Sequence, residues 1–168
     1  MEIRRVNNSL KESEAALEIL YGEIYDDISR RLALSWMRGM LNPVSPFVYH
    51  FIAVEGDKVV GTIVWVVDDF YGKEVAWRLL FVAVDEKHQR KGIGRRLVKE
   101  SFADLQKNPD PAIAKFVSGP VVVVTDGYNK GAIAFYRSFG PFRVTRVQKF
   151  WRKDAQLQFF FRSRALLT

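Results

Sequence analysis

The chain of 168 residues is 48% apolar and carries a formal net charge of +7. This composition excludes an intrinsically disordered protein, and the length predicts one domain spanning residues 1–168. Because the sequence contains no cysteine and only two histidines, His50 and His88, disulfides and thiolate metal sites are excluded, and we expect no bound metal.

The N-terminal half predicts a strand, two helices and three antiparallel strands. Ser9 and Glu12 have the spacing of a capping box, which predicts that a helix starts there. The expected elements in chain order are a strand at 2–6, a helix from Ser9, a helix at 29–40, strands at 47–54 and 58–67 joined by a short turn, a polar connection at 68–73, and a third strand ending at Val84.

The C-terminal half predicts alternating helices and strands. Apolar residues recur at helical spacing over residues 93–105 with charged residues between them, which indicates a helix with one apolar face. The expected elements after Val84 are this helix, a loop at 106–111, a strand at 116–125, a helix at 130–139, and a closing hairpin of strands at 142–151 and 155–164. The resulting order is β-α-α-β-β-β-α-β-α-β-β.

The turn from Gln89 to Gly94 carries the strongest functional signal. It joins the apolar run 79–84 to a helix, so the first helical N–H groups point at the turn, where the helix dipole adds positive charge. Gly92 and Gly94 allow backbone amides to approach an anion closely. Four basic side chains add positive charge around it: Arg90, Lys91, Arg95 and Arg96. The turn is therefore predicted to hold a pyrophosphate.

Two common phosphate-binding motifs do not fit this turn. A dinucleotide-binding fingerprint needs glycine or alanine three residues after its second glycine, where this chain has Leu97. A Walker A sequence occurs nowhere in the chain, which excludes a P-loop nucleotide-binding site.

Two motifs instead resemble those of the GCN5-related N-acetyltransferase (GNAT) superfamily. The first, Q/R-x-x-G-x-G/A, follows an apolar triple in that family and is matched by Gln89, Arg90, Lys91, Gly92, Ile93 and Gly94. The second, N-x-x-A-x-x-x-Y-x-x-x-G-F, is matched by Asn129, Ala132, Tyr136, Gly140 and Phe142, with Pro141 inserted. Their order and separation make the pair far more specific than either motif alone.

The resemblance implies an α+β fold in α/β/α layers around a central, mixed but mostly antiparallel sheet. It also implies that the protein uses acetyl-CoA as co-substrate. It implies that the Val82 N–H stabilises the developing oxyanion and that Tyr136 is the general acid that protonates the leaving thiolate. Asn129 could bind CoA, cap a helix, or do both. The residues expected to bind the cofactor are Val82, Ala83, Val84, Gln89, Arg90, Lys91, Gly92, Ile93, Gly94, Arg95, Asn129 and Tyr136.

The general base is less clearly indicated. Many members of the family place a glutamate four residues before the apolar triple, where this chain has Arg78, which cannot accept a proton. Glu74 is the tentative base because strand parity puts it on the same face as Arg78, unless a bulge intervenes. Three other residues remain alternatives, as does solvent: His50, Asp69 and Asp126.

The function expected from these features is N-acetylation of a primary amine, on a small molecule or a peptide, by direct transfer in a ternary complex. A CoA-binding module without transfer activity is the alternative, since the usual glutamate is missing. The dispersed basic residues argue against nucleic acid as a partner. We expect a cytoplasmic monomer or homodimer that does not contact a membrane.

Overall fold

The computed structural model of the protein describes residues 1–6, 10–22, 47–70, 74–108, 111, 120–127, 129–140, 142–148 and 155–161. Its strands are β1 (Glu2–Arg5), β2 (Val48–Glu55), β3 (Lys58–Phe70), β4 (Glu74–Val84), β5 (Val121–Asp126), β6 (Phe142–Gln148) and β7 (Ala155–Phe161). Its helices are α1 (Leu10–Gly22), α2 (Ile93–Lys107) and α3 (Lys130–Arg137), and a short 3-10 turn spans Glu86–His88. The predicted helix at 29–40 and the capping residue Ser9 lie outside the described residues.

The seven strands form one sheet in the order β1-β2-β3-β4-β5-β7-β6. Every neighbouring pair is antiparallel except β4 and β5, which are parallel. This arrangement confirms the predicted mixed, mostly antiparallel sheet and the α+β class. No helix in the described ranges is long and apolar enough to cross a membrane.

The predicted bounds of two connections were wrong. Residues 68–70 belong to β3, not to a polar connection, and pair with 74–76 of β4, because backbone pairing does not depend on the polarity of the side chains. The predicted loop at 106–111 begins too early, since α2 continues to Lys107 and is capped by the Asn108 N–H, which donates to the Asp104 carbonyl at 2.8 Å.

Helices cover both faces of the sheet. The apolar faces of α2 and α3 pack on one side, over a core that includes Trp65, Trp77 and Phe102. On the other side, Leu17 and Leu20 of α1 pack on β4. We call these the α2 face and the α1 face.

A glycine in β3 allows α2 to lie close to the sheet. A Cβ on Gly61 would lie 2.9 Å from Leu97 Cδ1 of α2 and 3.2 Å from the Ala83 carbonyl oxygen of β4. Both distances are shorter than normal carbon contacts. Gly61 therefore sets the spacing between α2 and the strand that carries the predicted cofactor residues.

A β-bulge in β4 changes which residues share a face. Val64 of β3 pairs with Phe81, but the next residue, Trp65, pairs with Leu79, so Leu80 is an extra residue on β4. Such an insertion reverses the alternation of side chains along the strand. Val82 faces α2 on one side of the bulge, and Leu79 faces α2 on the other.

Candidate functional site

The turn between β4 and α2 has the geometry of an anion-binding site. Arg90 and Gly92 both have left-handed backbone conformations, with φ angles of 62° and 79°, and Gly92 is the N-cap of α2. The side-chain Nε2 of Gln89 donates a hydrogen bond to the Val84 carbonyl at 3.0 Å, which connects the turn to the end of β4. The free N–H groups of the first turn of α2 and its dipole favour an anion at this end.

A charged network fixes the same turn from the opposite side. The carboxylate of Asp85 accepts hydrogen bonds from His88 Nδ1 and, at 3.3 Å, from Lys58 Nζ. His88 Nε2 lies 3.4 Å from a carboxylate oxygen of Glu55. The hydrogen bond from His88, together with Lys58, lowers the pKa of Asp85. The turn is thus connected to the hairpin between β2 and β3.

Gly94 is needed for helix packing as well as for access to the turn. A Cβ at this position would lie 3.3 Å from Phe135 Cε2 of α3 and 3.7 Å from Val84 Cγ2. The first turn of α2 therefore lies against both α3 and the end of β4. A long side chain at Gly94 has no room without displacing Phe135.

A cavity of about 530 Å³ lies between β4, the turn, α2 and α3. It is lined by all but one of the residues predicted to bind the cofactor, the exception being Lys91. The lining residues are Val82, Ala83, Val84, His88, Gln89, Arg90, Gly92, Ile93, Gly94, Arg95, Asn129, Gly131, Ala132, Phe135 and Tyr136. The structure thus brings together residues from both sequence motifs, which are separated by about one helix and one strand.

The neighbouring strands β4 and β5 pair over only part of their length. The ladder joins Trp77–Leu79 to Val121–Val123, whereas β4 continues to Val84 and β5 to Asp126. The two strands therefore diverge after Leu79, and Val82 lies in the diverging part, beside the cavity. Such an opening can admit an extended chain that bonds to the main chain of β4.

Tyr136 and Asn129 lie at the same cavity. Tyr136 is 8% exposed, and its ring packs against Phe135 and Phe159 with centroids 5.3 Å and 5.9 Å away. Burial raises the pKa of the Tyr136 phenol above its ordinary value, so the hydroxyl stays protonated and can act only as an acid near neutral pH. Asn129 caps α3, since its Oδ1 accepts a hydrogen bond from the Ala132 N–H at 2.9 Å.

The candidates for the general base differ in their position relative to the cavity. Glu74 is the first residue of β4 and lies on the same face as Arg78, because the pairing with β3 has no bulge between them. The side chains of Glu74, Asp69 and Asp126 are not among those that the structure describes. His50 lies on β2, with Nε2 2.7 Å from Thr62 Oγ1, and does not line the cavity. Burial lowers its pKa to about 4, which makes His50 a poor base.

Two residues at the site were not predicted from the sequence. His88 lies three residues after Asp85, where a short turn brings their side chains together. Phe135 precedes Tyr136 on α3 and fills the space beside Gly94. Among the residues whose placement is described, no group of three acidic, histidine or cysteine side chains could hold a metal.

Comparison with known proteins agrees with this geometry. The sequence model described as "Acetyltransferase (GNAT) domain" matches residues 46–140, more than half of the chain. N-alpha-acetyltransferase 30 of Xenopus laevis is 33% identical over 102 residues, which cover 60% of this chain and 34% of that protein. The chain thus matches about a third of the length of this relative.

Two solved structures share the fold at low sequence identity. An acetyltransferase described as of the GNAT family from Desulfovibrio desulfuricans has a TM-score of 0.75 and 17% identity, over 96% of this chain and 98% of that chain. Aminoglycoside 6'-N-acetyltransferase AAC(6')-IG of Acinetobacter haemolyticus has a TM-score of 0.69 and 18% identity, over 91% and 99%. With the sequence match, the cavity and the divergent strands, these likenesses show that the chain belongs to the GNAT acetyltransferase family.

Proposed function

We propose that the protein transfers an acetyl group from acetyl-CoA directly to a primary amine. The observation that carries the proposal is the cavity, which joins the turn from Gln89 to Gly94, the diverging end of β4 and the buried side chain of Tyr136. The relatives support an amine acceptor, because their names are those of an N-alpha-acetyltransferase and of an aminoglycoside 6'-N-acetyltransferase, and both names describe acetyl transfer to nitrogen.

The residues of the cavity fit the parts of acetyl-CoA. The left-handed Arg90 and Gly92 and the N-terminus of α2 would hold the pyrophosphate, with charge from Arg95. The main chain at Val82 and Val84 would bond to the pantetheine arm as it enters the opening between β4 and β5. The pyrophosphate would thus meet N–H groups and positive charge, and the pantetheine arm would meet the main chain of a strand.

The transfer forms a bond between the amine nitrogen and the acetyl carbon and breaks the bond from that carbon to sulfur. The Val82 N–H would donate to the carbonyl oxygen as negative charge develops there. Tyr136 would give its proton to the departing thiolate, and solvent would remove the extra proton of the amine. Glu74 remains the tentative alternative to solvent as the base.

The proposal can be tested by measuring cofactor binding and thiol release together. Acetyl-CoA is titrated by calorimetry into the wild type and Gly94→Glu, whose new carboxylate would meet Phe135 and repel the phosphates. Ala134→Glu is the matched control, because Ala134 is exposed on α3 and does not line the cavity. We expect binding in the wild type and in this control, and a loss of at least about 100-fold in Gly94→Glu.

Thiol release is then followed with a panel of amino acids, short peptides, polyamines and aminoglycosides. Release with at least one amine class, abolished in Gly94→Glu, is the expected result. Binding of acetyl-CoA without release on any amine would instead support a CoA-binding module without transfer activity, which Arg78 in place of the usual glutamate favours. Absence of binding in the wild type would contradict both functions.

A further inference from the structure

His88 lies between the cofactor cavity and the hairpin that joins β2 to β3. Its side chain is 17% exposed and is one of those that line the cavity. Its Nδ1 is hydrogen-bonded to a carboxylate oxygen of Asp85, directly after β4, and its Nε2 lies 3.4 Å from a carboxylate oxygen of Glu55, the last residue of β2. Lys58, the first residue of β3, contacts Asp85 at 3.3 Å. We call these four residues the His88 network.

Only a protonated imidazole can donate a hydrogen bond to both carboxylates of the network. An imidazolium has two N–H donors, whereas a neutral imidazole has one N–H and one lone pair. Loss of the proton therefore leaves one carboxylate facing a nitrogen lone pair, which repels it. Glu55 is the partner that is released, because it is 59% exposed and water can take the place of the imidazole there. The turn then loses its direct contact with β2.

The proton on His88 also sets the net charge beside the cavity. With a protonated imidazole, two positive groups balance two carboxylates and the net charge of the network is zero; with a neutral imidazole it is −1. The other charged or titratable groups nearby are Asp57 of the hairpin, Glu86, Lys87, Arg90 and Lys91 of the turn, Arg95 and Tyr136 across the cavity, and Lys11, Glu12 and Glu18 of α1, which line a second cavity with Asp85. All of these are residue types that ordinarily do not titrate between about pH 6 and pH 9. A histidine does so in this range.

We propose that His88 is a positioning residue for acetyl-CoA, whose protonated imidazole fixes the turn from Gln89 to Gly94 and cancels the negative charge that would repel the pyrophosphate. The protonated form therefore binds the cofactor more tightly than the neutral form. By linkage, binding of the cofactor takes up protons, and the affinity falls as the pH rises through the titration of this imidazole. The inference rests on the proposed binding of acetyl-CoA in this cavity and adds a proton that regulates it.

The test is the pH dependence of the Kd for 3'-dephospho-acetyl-CoA, measured by calorimetry between about pH 6 and pH 9. This analogue keeps the pyrophosphate but lacks the 3'-phosphate, whose own ionisation near pH 6 would add a second pH dependence. We expect the Kd of the wild type to rise by about 10-fold over this range. Titrations in two buffers that differ in ionisation enthalpy should show that the wild type takes up protons on binding.

Three variants assign the proton to His88. In His88→Gln, which keeps a hydrogen-bond donor but does not titrate, the Kd should vary by less than about 2-fold over the same range and match the wild-type value at high pH. Glu55→Gln should move the midpoint of the pH profile to lower pH, because the imidazolium has lost one of its two acceptors. Asp57→Asn is the matched control: it removes the same charge from the same hairpin, and among the described residues Asp57 forms no ion pair with His88, so its midpoint should not move.

The outcomes separate this inference from the proposed function. A wild-type Kd that is the same at pH 6 and pH 9 would overturn the role of His88 and leave the binding of the cofactor standing. A pH dependence that persists in His88→Gln would overturn it in the same way. Circular dichroism checks that each variant is folded, and if His88→Gln is not, equal midpoints for Glu55→Gln and Asp57→Asn would overturn the inference instead. Absence of binding to the wild type at every pH, with acetyl-CoA as well as with the analogue, would overturn both.

Discussion

Acidification should destabilise the protein partly through a single side chain, His50. Burial lowers the pKa of this imidazole from 6.5 to about 4. As the pH falls below 6.5, the unfolded chain takes up a proton at His50 before the folded protein does. The contribution of the neutral histidine to stability is therefore complete above pH 6.5 and is lost as the pH falls toward 4.

The size of the loss follows from the two pKa values. The difference between 6.5 and about 4 corresponds to about 3 kcal/mol at 1.36 kcal/mol per pKa unit. At pH 4.5 most of this, roughly 2 to 3 kcal/mol, should already be lost. The variant His50→Gln keeps an amide that can bond to Thr62 but has no group that titrates in this range.

The assay is urea denaturation of the wild type and His50→Gln near pH 7 and near pH 4.5. Carboxylates also lose stabilising interactions on acidification: hydrogen bonds from His88 and Arg4 lower the pKa values of Asp85 and Glu12, respectively. These losses are common to both proteins and cancel in the comparison. The wild type should lose roughly 2 to 3 kcal/mol more than the variant. Equal losses would refute the assignment of a buried, neutral His50.

Two further predictions concern the acid and the core. Tyr136→Phe should lower kcat by about 100-fold or more in stopped-flow thiol release while the Kd for acetyl-CoA changes little, and an unchanged kcat would remove Tyr136 as the acid. Because burial raises the pKa of Tyr136, the wild-type kcat should not fall on the alkaline side below about pH 10. Gly61→Ala should destabilise the fold by about 1 to 3 kcal/mol in thermal unfolding, since its new methyl would overlap Leu97. The matched control is Gly131→Ala, because Gly131 of α3 is exposed and a Cβ there would have no neighbour closer than 3.7 Å. Gly56→Ala is not a suitable control, because Gly56 has a φ of 59°.

The order of the described elements and the glycine-containing turn before α2 could be predicted from the sequence because both depend on local signals. Apolar periodicity indicates α2, and Gly92, the N-cap of α2, has a left-handed backbone conformation that glycine adopts readily. The short turn between β2 and β3 was also predicted from local signals, and Gly56 there has a φ of 59°.

Features that depend on distant contacts could not be predicted. The bulge at Leu80 leaves no mark in the sequence, because the residues around it are all apolar and fit either face. The spacing role of Gly61 depends on Leu97, which is 36 residues away along the chain. The contact between His88 and Glu55 likewise requires the hairpin to fold back on the turn.

Because Leu80 is an extra residue, the parts of β4 before and after it differ in whether odd- or even-numbered residues face α2. Residues from Phe81 to Val84 follow one odd–even rule for facing α2, and those from Trp77 to Leu79 follow the opposite rule. A deletion of Leu80 would remove the bulge and leave Arg78 and Val82 on their present faces, because the β3 partners on either side of Leu80, Val64 and Trp65, are consecutive residues. Loss of one residue is therefore expected to be tolerated better at Leu80 than elsewhere in β4, and alignments of related chains across β4 need to be anchored separately on each side of it.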